Sequence, residues 1–314
     1  MYTSSGILPR DQLMFFKCFP IFLMTSLLSI ATIAVAKPSP TAADEKLAGL
    51  EHSFNGKIGV YAIDTNNGNI IAHRADERFP FQSTFKTIAA GALLYQAKTD
   101  DDLLNERITY SQKDLVGWTP ITKQHVKDGM TLEELAEAAV SYSDNGAVNL
   151  IMENLGGPEA ITRFANAIGN ASFNVTNYEV NLNSNPYDTS DTSTPKDMAI
   201  SLQKLTLDDV LSPENKQKLT TWLTNNTTGN QRIRAGVPIG WTVADKTGSG
   251  DYGVANDIAL AWSPFCKPIV ISIYTNQTDS DAKNRDDIIA QTTEIVFAEL
   301  AKSNQCMSKS VMMS

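Results

Sequence analysis

The chain has 314 residues, 42% of them hydrophobic and 19% charged, which is the ordinary balance of a packed, water-soluble globular protein of one large or two modest domains. A formal charge of −9 argues against nucleic acid or an anionic membrane as partner and leaves a small-molecule or cell-wall substrate as the better fit.

Residues 1–36 read as an export leader. Arg10 and Lys17 precede an apolar run from Phe19 to Val35, and Ala34-Val35-Ala36 is a small-x-small cleavage site. The run, about 17 residues long and interrupted by Thr25, Ser26, Ser29 and Thr32, is short for a membrane span. Cys18 precedes this run, whereas a lipid-anchored leader needs a cysteine just after it. The expected product begins near Lys37 and is a soluble monomer, secreted or periplasmic, with no membrane contact. Loss of Arg10, Asp11 and Lys17 would shift its charge from −9 to −10.

Gly56 to Asp64 reads as a strand, Asn66-Asn67-Gly68 as a turn and Asn69 to His73 as the returning strand, so a hairpin is expected to open the mature fold. Helical periods follow over Thr84–Gln96, Thr131–Ser141 (opening on Thr131-x-x-Glu134), Ala147–Leu155, Pro158–Ile168, Thr194–Leu205 and Pro213–Asn225. Strands return at Trp241–Lys246, Ile258–Trp262 and Ile269–Tyr274, before a last helix from Asp286 to Leu300. The fold class expected is an α/β sandwich, its antiparallel sheet built from both chain ends (residues 37–80 and 226–314), with an all-helical domain (residues 81–225) inserted. Ligand sites favour such a junction.

Beyond the leader only Cys266 and Cys306 remain, enough for one optional bridge but not for a disulfide framework. His52, His73 and His125 show no metal-ligand spacing, so no metal and no cofactor is expected.

Ser83-Thr84-Phe85-Lys86 falls where a coil turns into an apolar helix, which puts serine and lysine on one face. A serine hydroxyl needs a neighbouring base, and a lysine serves if burial or nearby cations lower its pKa. The free N–H groups of a helix start can also stabilise an oxyanion. Alone, the pattern equally describes a cap followed by a solvated lysine. Ser143-Asp144-Asn145, just after a helix, is alone a turn or N-cap. Lys246-Thr247-Gly248-Ser249, at the end of a strand, could bind a carboxylate or simply blunt a sheet edge.

In this order, on helix start, loop and strand, the three motifs are the set found in class A β-lactamases and penicillin-binding proteins. The chain resembles class A β-lactamases from the opening hairpin to the last helix, and Glu179-Val180-Asn181-Leu182-Asn183 resembles that family's Glu-x-x-Leu-Asn element. The resemblance implies the serine β-lactamase/DD-peptidase-like fold and a β-lactam substrate. It makes Ser83 the nucleophile and Lys86 its partner, with the N–H groups of Ser83 and Ser249 as the oxyanion hole. Ser143 would protonate the leaving nitrogen, supported by Lys246. Thr247 and Ser249 would hold the substrate carboxylate and Asn145 its acylamide, while Glu179 and Asn183 hold the deacylating water. The acylation base is Lys86, or Glu179 through water. Trp118 would flank the cleft, and Arg232 or Arg285 would help bind the carboxylate.

Three departures stand out. Asn177 replaces the arginine that usually precedes the glutamate by two and pairs with an aspartate, so the loop closed by Asp191 is expected to rely on hydrogen bonds. The stretch from Asn183 to Asp191 looks one residue short. The family's carbapenemases bridge the two positions held here by Gln82 and Gly250, and that bridge cannot form. Penicillinase activity with some cephalosporin hydrolysis is therefore expected. A cis bond after Glu179 is also implied. Gly248-x-Gly250-x-x-Gly253 matches a dinucleotide-binding pattern, but a strand follows it instead of a helix. The rival readings are a D-alanyl-D-alanine peptidase, which would lack Glu179, and a sensor that stays acylated.

Overall fold

The computed structural model describes Met1, residues 41–304, and residues 306 and 307. Apart from Met1, the expected export leader (residues 1–36) and the expected start near Lys37 lie outside the described residues.

The first described element is helix α1 (Ala42–Phe54), where the sequence predicts a hairpin to open the mature fold. Thr41 and Asp44 close a capping box at its start, and Asn55, at φ +52, ends it. Its buried face is Ala43, Leu47, Glu51 and Phe54, and the carboxylate among the apolar residues hid the helical period. Glu51 is nonetheless satisfied. It accepts from the Ile58 N–H at 2.8 Å and from Arg74 Nε at 2.6 Å, as a buried charge requires.

The hairpin of β1 (Gly56–Asp64) and β2 (Ile70–His73) follows. After the short strand β3 (Phe79–Pro80), a 3-10 turn at Gln82–Phe85 runs into α2 (Lys86–Gln96). Two short strands, β4 (Arg107–Ile108) and β5 (Met130–Thr131), pair with each other and lead to α3 (Leu132–Ser141), α4 (Asn145–Leu155) and α5 (Pro158–Ala167). A long irregular loop then ends at β6 (Thr192–Ser193), followed by α6 (Pro195–Thr206), α7 (Pro213–Thr224) and the short α8 (Ile233–Gly236). The chain closes with β7 (Thr242–Ser249), β8 (Ala255–Trp262), β9 (Ile269–Gln277) and α9 (Asp286–Ala301).

The five-stranded sheet has the order β2-β1-β9-β8-β7 and is antiparallel throughout. β1 lies along β9 from Gly56↔Gln277 to Asp64↔Ile269, so the two ends of the sequence supply one sheet. Both faces are covered, and β9 shows how. Ile269, Ile271 and Ile273 point into the core shared with α1 and α9, while Val270 and Tyr274 point into the core beneath the helices α2–α7, following the two-residue period of a strand. The disulfide Cys266–Cys306 joins the β8–β9 connection to the segment after α9.

Two features aim the fold at one place. β7 is an edge strand, and it extends to Ser249, so Lys246-Thr247-Gly248-Ser249 lies within the strand rather than after it. Thr, Gly and Ser are turn formers, but pairing of Gly248 with Asn256 and Ser249 with Ala255 outweighs that local preference. Further back, β3 pairs with β6 through Phe79↔Ser193 and Pro80↔Thr192, and the Phe81 N–H donates to Asp191 O at 3.1 Å. That pairing brings the end of the long loop beside the turn that carries Ser83.

Candidate active site

Ser83 sits in the 3-10 turn, half-buried, with Lys86 fully buried as the first residue of α2. The turn is fixed from below. Phe81 stacks on Phe85 and Phe173, and Thr84 shares a 2.8 Å hydrogen bond with the buried Tyr274 hydroxyl. From the side, Asn256 of β8 donates to Pro80 O at 2.8 Å. The edge of β7 comes so close that a Cβ on Gly248 would lie 2.7 Å from Phe81 O and 3.1 Å from the Ser83 nitrogen. Only glycine permits that approach.

The residues converge on a cleft of about 500 Å³ lined by Ser83, Trp118, Ser143, Asn145, Glu179 and Ser249 among others. Ser83 Oγ donates to Glu179 Oε1 at 3.2 Å. Lys86 Nζ donates to Ser143 O at 2.8 Å and Asn145 Oδ1 at 2.6 Å, and stands 3.1 Å from Glu179 Oε1. Three acceptors around one nitrogen are what an ammonium group needs. Burial nevertheless pushes the Lys86 pKa below the usual lysine range, against the pull of Glu179 and Asp144, so its proton is poised to move. On the far wall Lys246 Nζ donates to Ser143 Oγ at 3.0 Å and to Thr247 O at 2.8 Å. Burial, then the charge of Lys86, holds Lys246 well below the ordinary lysine value. The Ser143 hydroxyl accepts from Lys246 and, at 3.5 Å, from Lys86, which leaves its own hydrogen free to be donated into the cleft.

Arg232, a residue whose type alone suggests a solvated side chain, is buried. Asp286 anchors its Nε at 2.8 Å, Nη1 donates to Gly248 O and Asn256 O at 2.7 Å each, and Nη2 reaches Ser249 Oγ at 2.6 Å. A guanidinium therefore backs Ser249 at the end of the cleft where an anion would lie. Trp118 lines the cleft, 61% exposed, with its indole N–H on Tyr142 O.

Two expected residues are not brought to this cleft. Arg285 is exposed and forms a two-pronged pair with Asp287, the arrangement of adjacent groups at the α9 start. The Asn183 side chain is turned into its own loop, donating to Ser190 O and Asn185 O and accepting from the Asn185 N–H. These local bonds use both amide hydrogens and one lone pair of the oxygen.

Asp191 closes the loop without an arginine, as expected, although Arg78 donates to Ser172 O and Thr192 Oγ1 elsewhere in it. Buried Asp191 accepts from the Thr176 and Asn177 N–H groups at 2.8 and 3.2 Å, the Thr176 hydroxyl at 3.3 Å, the Asn177 amide at 2.7 Å and the Asn183 N–H at 3.0 Å. The peptide bond Glu179-Val180 is cis. Sequence reasoning missed what grips Glu179. Asn149 of α4 accepts from its N–H at 3.0 Å and donates to its carbonyl at 2.8 Å. An amide on the buried side of α4, among Val148, Leu150 and Ile151, was the available signal. Asp144 was also unassigned; buried, it accepts from the Ile121, Thr122 and Ala147 N–H groups and the Thr122 hydroxyl, fastening the Ser143 loop. Thr228, whose hydroxyl meets that of Thr247 at 2.5 Å, completes the wall. Among the described residues, no group of three or more His, Cys, Asp or Glu side chains is placed to hold a metal ion.

Comparison with known proteins agrees with this geometry. Residues 42–300 match the model of the β-lactamase enzyme family. Beta-lactamase 3 of Bacillus cereus is 49% identical over 259 residues, 82% of this chain and 81% of that protein. The carbapenem-hydrolyzing beta-lactamase KPC of Klebsiella oxytoca is 44% identical over 263 residues, 83% of this chain and 90% of that one. The crystal structure of a β-lactamase from Desulfarculus baarsii superposes with a TM-score of 0.82 at 44% identity, covering 82% of this chain and 97% of that one. The protein with Ser83, Lys86 and Glu179 at one end of its cleft and Lys246, Ser249 and Arg232 at the other belongs to the class A serine β-lactamase family, hydrolases of the β-lactam amide.

Proposed function

We propose that the chain hydrolyses penicillins, and cephalosporins with them, through an ester on Ser83 that is cleared by water acting with Glu179, and that it thereby confers antibiotic resistance. The observation that carries this reading is the 3.2 Å contact between Ser83 Oγ and Glu179 Oε1. A carboxylate at that distance can take the serine proton and later that of a water attacking the ester. A peptidase or a sensor needs the serine and both lysines but not this carboxylate.

In the proposed acylation, Ser83 Oγ bonds to the lactam carbonyl carbon and its proton passes to Glu179. The C–N bond then breaks, and the nitrogen takes the Ser143 proton. Lys86 replaces that proton and recovers its own from Glu179, along contacts of 3.5 and 3.1 Å. In deacylation Glu179 takes a proton from water, the oxygen bonds to the ester carbon, and the proton returns to Ser83 as the ester breaks. Thr247, Ser249 and Arg232 would orient the substrate carboxylate and Asn145 its acylamide. Lys86, 3.1 Å from the same Glu179 oxygen and held below the usual lysine range by burial, can stand in as proton acceptor during acylation, whereas deacylation depends on Glu179.

Export to the periplasm or medium through residues 1–36, and action there as a monomer, complete the reading. The Cys266–Cys306 disulfide supports an oxidising compartment. Sequencing the N-terminus of the product from fractionated cells tests the first point and light scattering the second. The function itself is tested by steady-state hydrolysis of a chromogenic cephalosporin with the protein and its Glu179→Ala variant, with mass spectrometry of both. Turnover by the first and a trapped Ser83 adduct on the second are expected; a stable adduct on the unmodified protein would mean a peptidase or sensor.

A further inference from the structure

We infer that Gln82 is a positioning residue for deacylation, a clamp that ties the loop carrying Glu179 to the turn carrying Ser83 and to the edge of β7. Gln82 immediately precedes Ser83, is 6% exposed and stands at φ +47. A non-glycine residue in that left-handed region persists when its surroundings hold it there. Its surroundings do so through one amide. Nε2 donates to Asn183 O at 2.6 Å and to Ser184 Oγ at 3.0 Å, so the side chain spans from the nucleophile turn to the loop four and five residues beyond Glu179.

The third segment in the clamp is β7. A Cβ on Gly248 would stand 3.0 Å from Gln82 Cβ, and a Cβ on Gly250 would stand 2.8 Å from Gln82 Cδ and 2.5 Å from Ser184 Oγ. Gly248 in β7 and Gly250, one residue past its end, form a slot that the glutamine fills, stem against Gly248 and amide against Gly250. The glycine spacing that imitates a nucleotide motif thus has a packing reason.

Glu179 is held on one side by Asn149, which bonds its backbone. On the other side, the Asn183 N–H is tied to Asp191 and the Asn183 carbonyl to Gln82. Of these ties, only the Gln82 bond starts from the residue next to the nucleophile. It therefore sets the spacing between Ser83 and Glu179, which matters most once the acyl group occupies Ser83 and the water must fit beside it. The chemistry requires an amide donor. A glutamate in its place would set a carboxylate against a carbonyl oxygen, and a methionine would fill the slot without donating.

The inference rests on the hydrolase reading above. Its test is to measure acylation and deacylation separately, by stopped-flow and by decay of the adduct in mass spectrometry, for the unmodified protein, Gln82→Met and Gln82→Glu. Deacylation should slow by about tenfold or more while acylation stays within about threefold, with the adduct accumulating during turnover. A general packing defect would instead lower the amount of active enzyme, read from the burst, or slow both steps alike. Ser184→Ala, a milder change that leaves the bond to Asn183 O, should slow deacylation in the same direction by a smaller factor, which keeps the test open if the Gln82 variants do not fold. Unchanged adduct decay in these variants, or equal slowing of both steps, would overturn the clamp. If the unmodified protein itself stayed acylated, the hydrolase reading would fall first, whatever the variants did.

Discussion

Replacing Asp191 by alanine should free the loop that presents Glu179. The Asp191 carboxylate is buried and receives five hydrogen bonds, three of them from main-chain N–H groups that cannot turn elsewhere. An orphaned buried donor costs about 1–3 kcal/mol. Thr176 is exposed and Asn177 partly so, so water would repair part of the loss, and a net destabilisation of about 3 kcal/mol is expected. Asp191 also stands at φ +52, where alanine adds about 1 kcal/mol of steric cost that glycine avoids. Asp191→Ala and Asp191→Gly should therefore both be measured. Asp191→Asn can keep its oxygen on the Thr176 and Asn177 N–H groups but sets an amide nitrogen against the Asn183 N–H and the Asn177 side-chain amide; the latter is part-exposed and can turn to water, so about 1–2 kcal/mol is expected. Urea unfolding gives these differences, and decay of the acyl adduct should slow by about a hundredfold in Asp191→Gly, because a shift of about 1 Å in a catalytic base has that effect. A loss below about 1 kcal/mol in Asp191→Gly, with normal adduct decay, would show that this carboxylate does not hold the loop.

Gly248→Ala should push β7 away from the Ser83 turn and lower kcat/KM by about tenfold or more, since its Cβ would meet Phe81 O and the Ser83 nitrogen; full activity with a penicillin would contradict the close approach. His73 lies 3.4 Å from both Asp44 and Glu51 of α1, and the Glu51 carboxylate beside it, opposed by burial, raises its pKa above the usual histidine value. Folding thus favours the protonated ring. Its stabilisation is complete below the unfolded-state pKa and is lost as pH rises through the folded value, so His73→Asn should lower Tm more at about pH 5.5 than at about pH 9. An equal loss at both would place the effect in packing alone. Cys306→Ser opens a ring with a sequence separation of 40 and should cost about 4 kcal/mol by chain entropy, read as a lower urea midpoint; an unchanged midpoint would show that the bridge constrains nothing.

Much of this fold was legible because its local signals agree with its packing. Thr131-x-x-Glu134 marked the start of α3, where both capping bonds form, and Pro158, Pro195 and Pro213 each open a helix. Failures came where a tertiary contact overrides the local pattern. α1 was hidden by Glu51, whose burial only makes sense beside Arg74, and the end of β7 by turn-forming residues that pair with β8. In the site, the motifs drew attention to Ser83, Lys86, Ser143, Glu179 and Lys246, which do meet around one cleft. Asn149, Gln82 and Thr228 carry no spacing signature, since their roles exist only once distant segments touch. Arg285 and Asn183 had the right residue type at the right place in sequence, but nearby groups claimed their side chains first.

The pairing of β1 with β9 also dictates an order of events in the life of the chain. Gly56 waits for Gln277 and Asp64 for Ile269, so the hairpin made early cannot find its central neighbour until all the helices between have left the ribosome. Contacts so distant in sequence make folding slow, and the sheet stays open while the chain is being made. Were the chain exported as proposed, that delay would keep the polypeptide threadable, and the active site, which needs β7 beside the Ser83 turn, would be assembled only after the crossing.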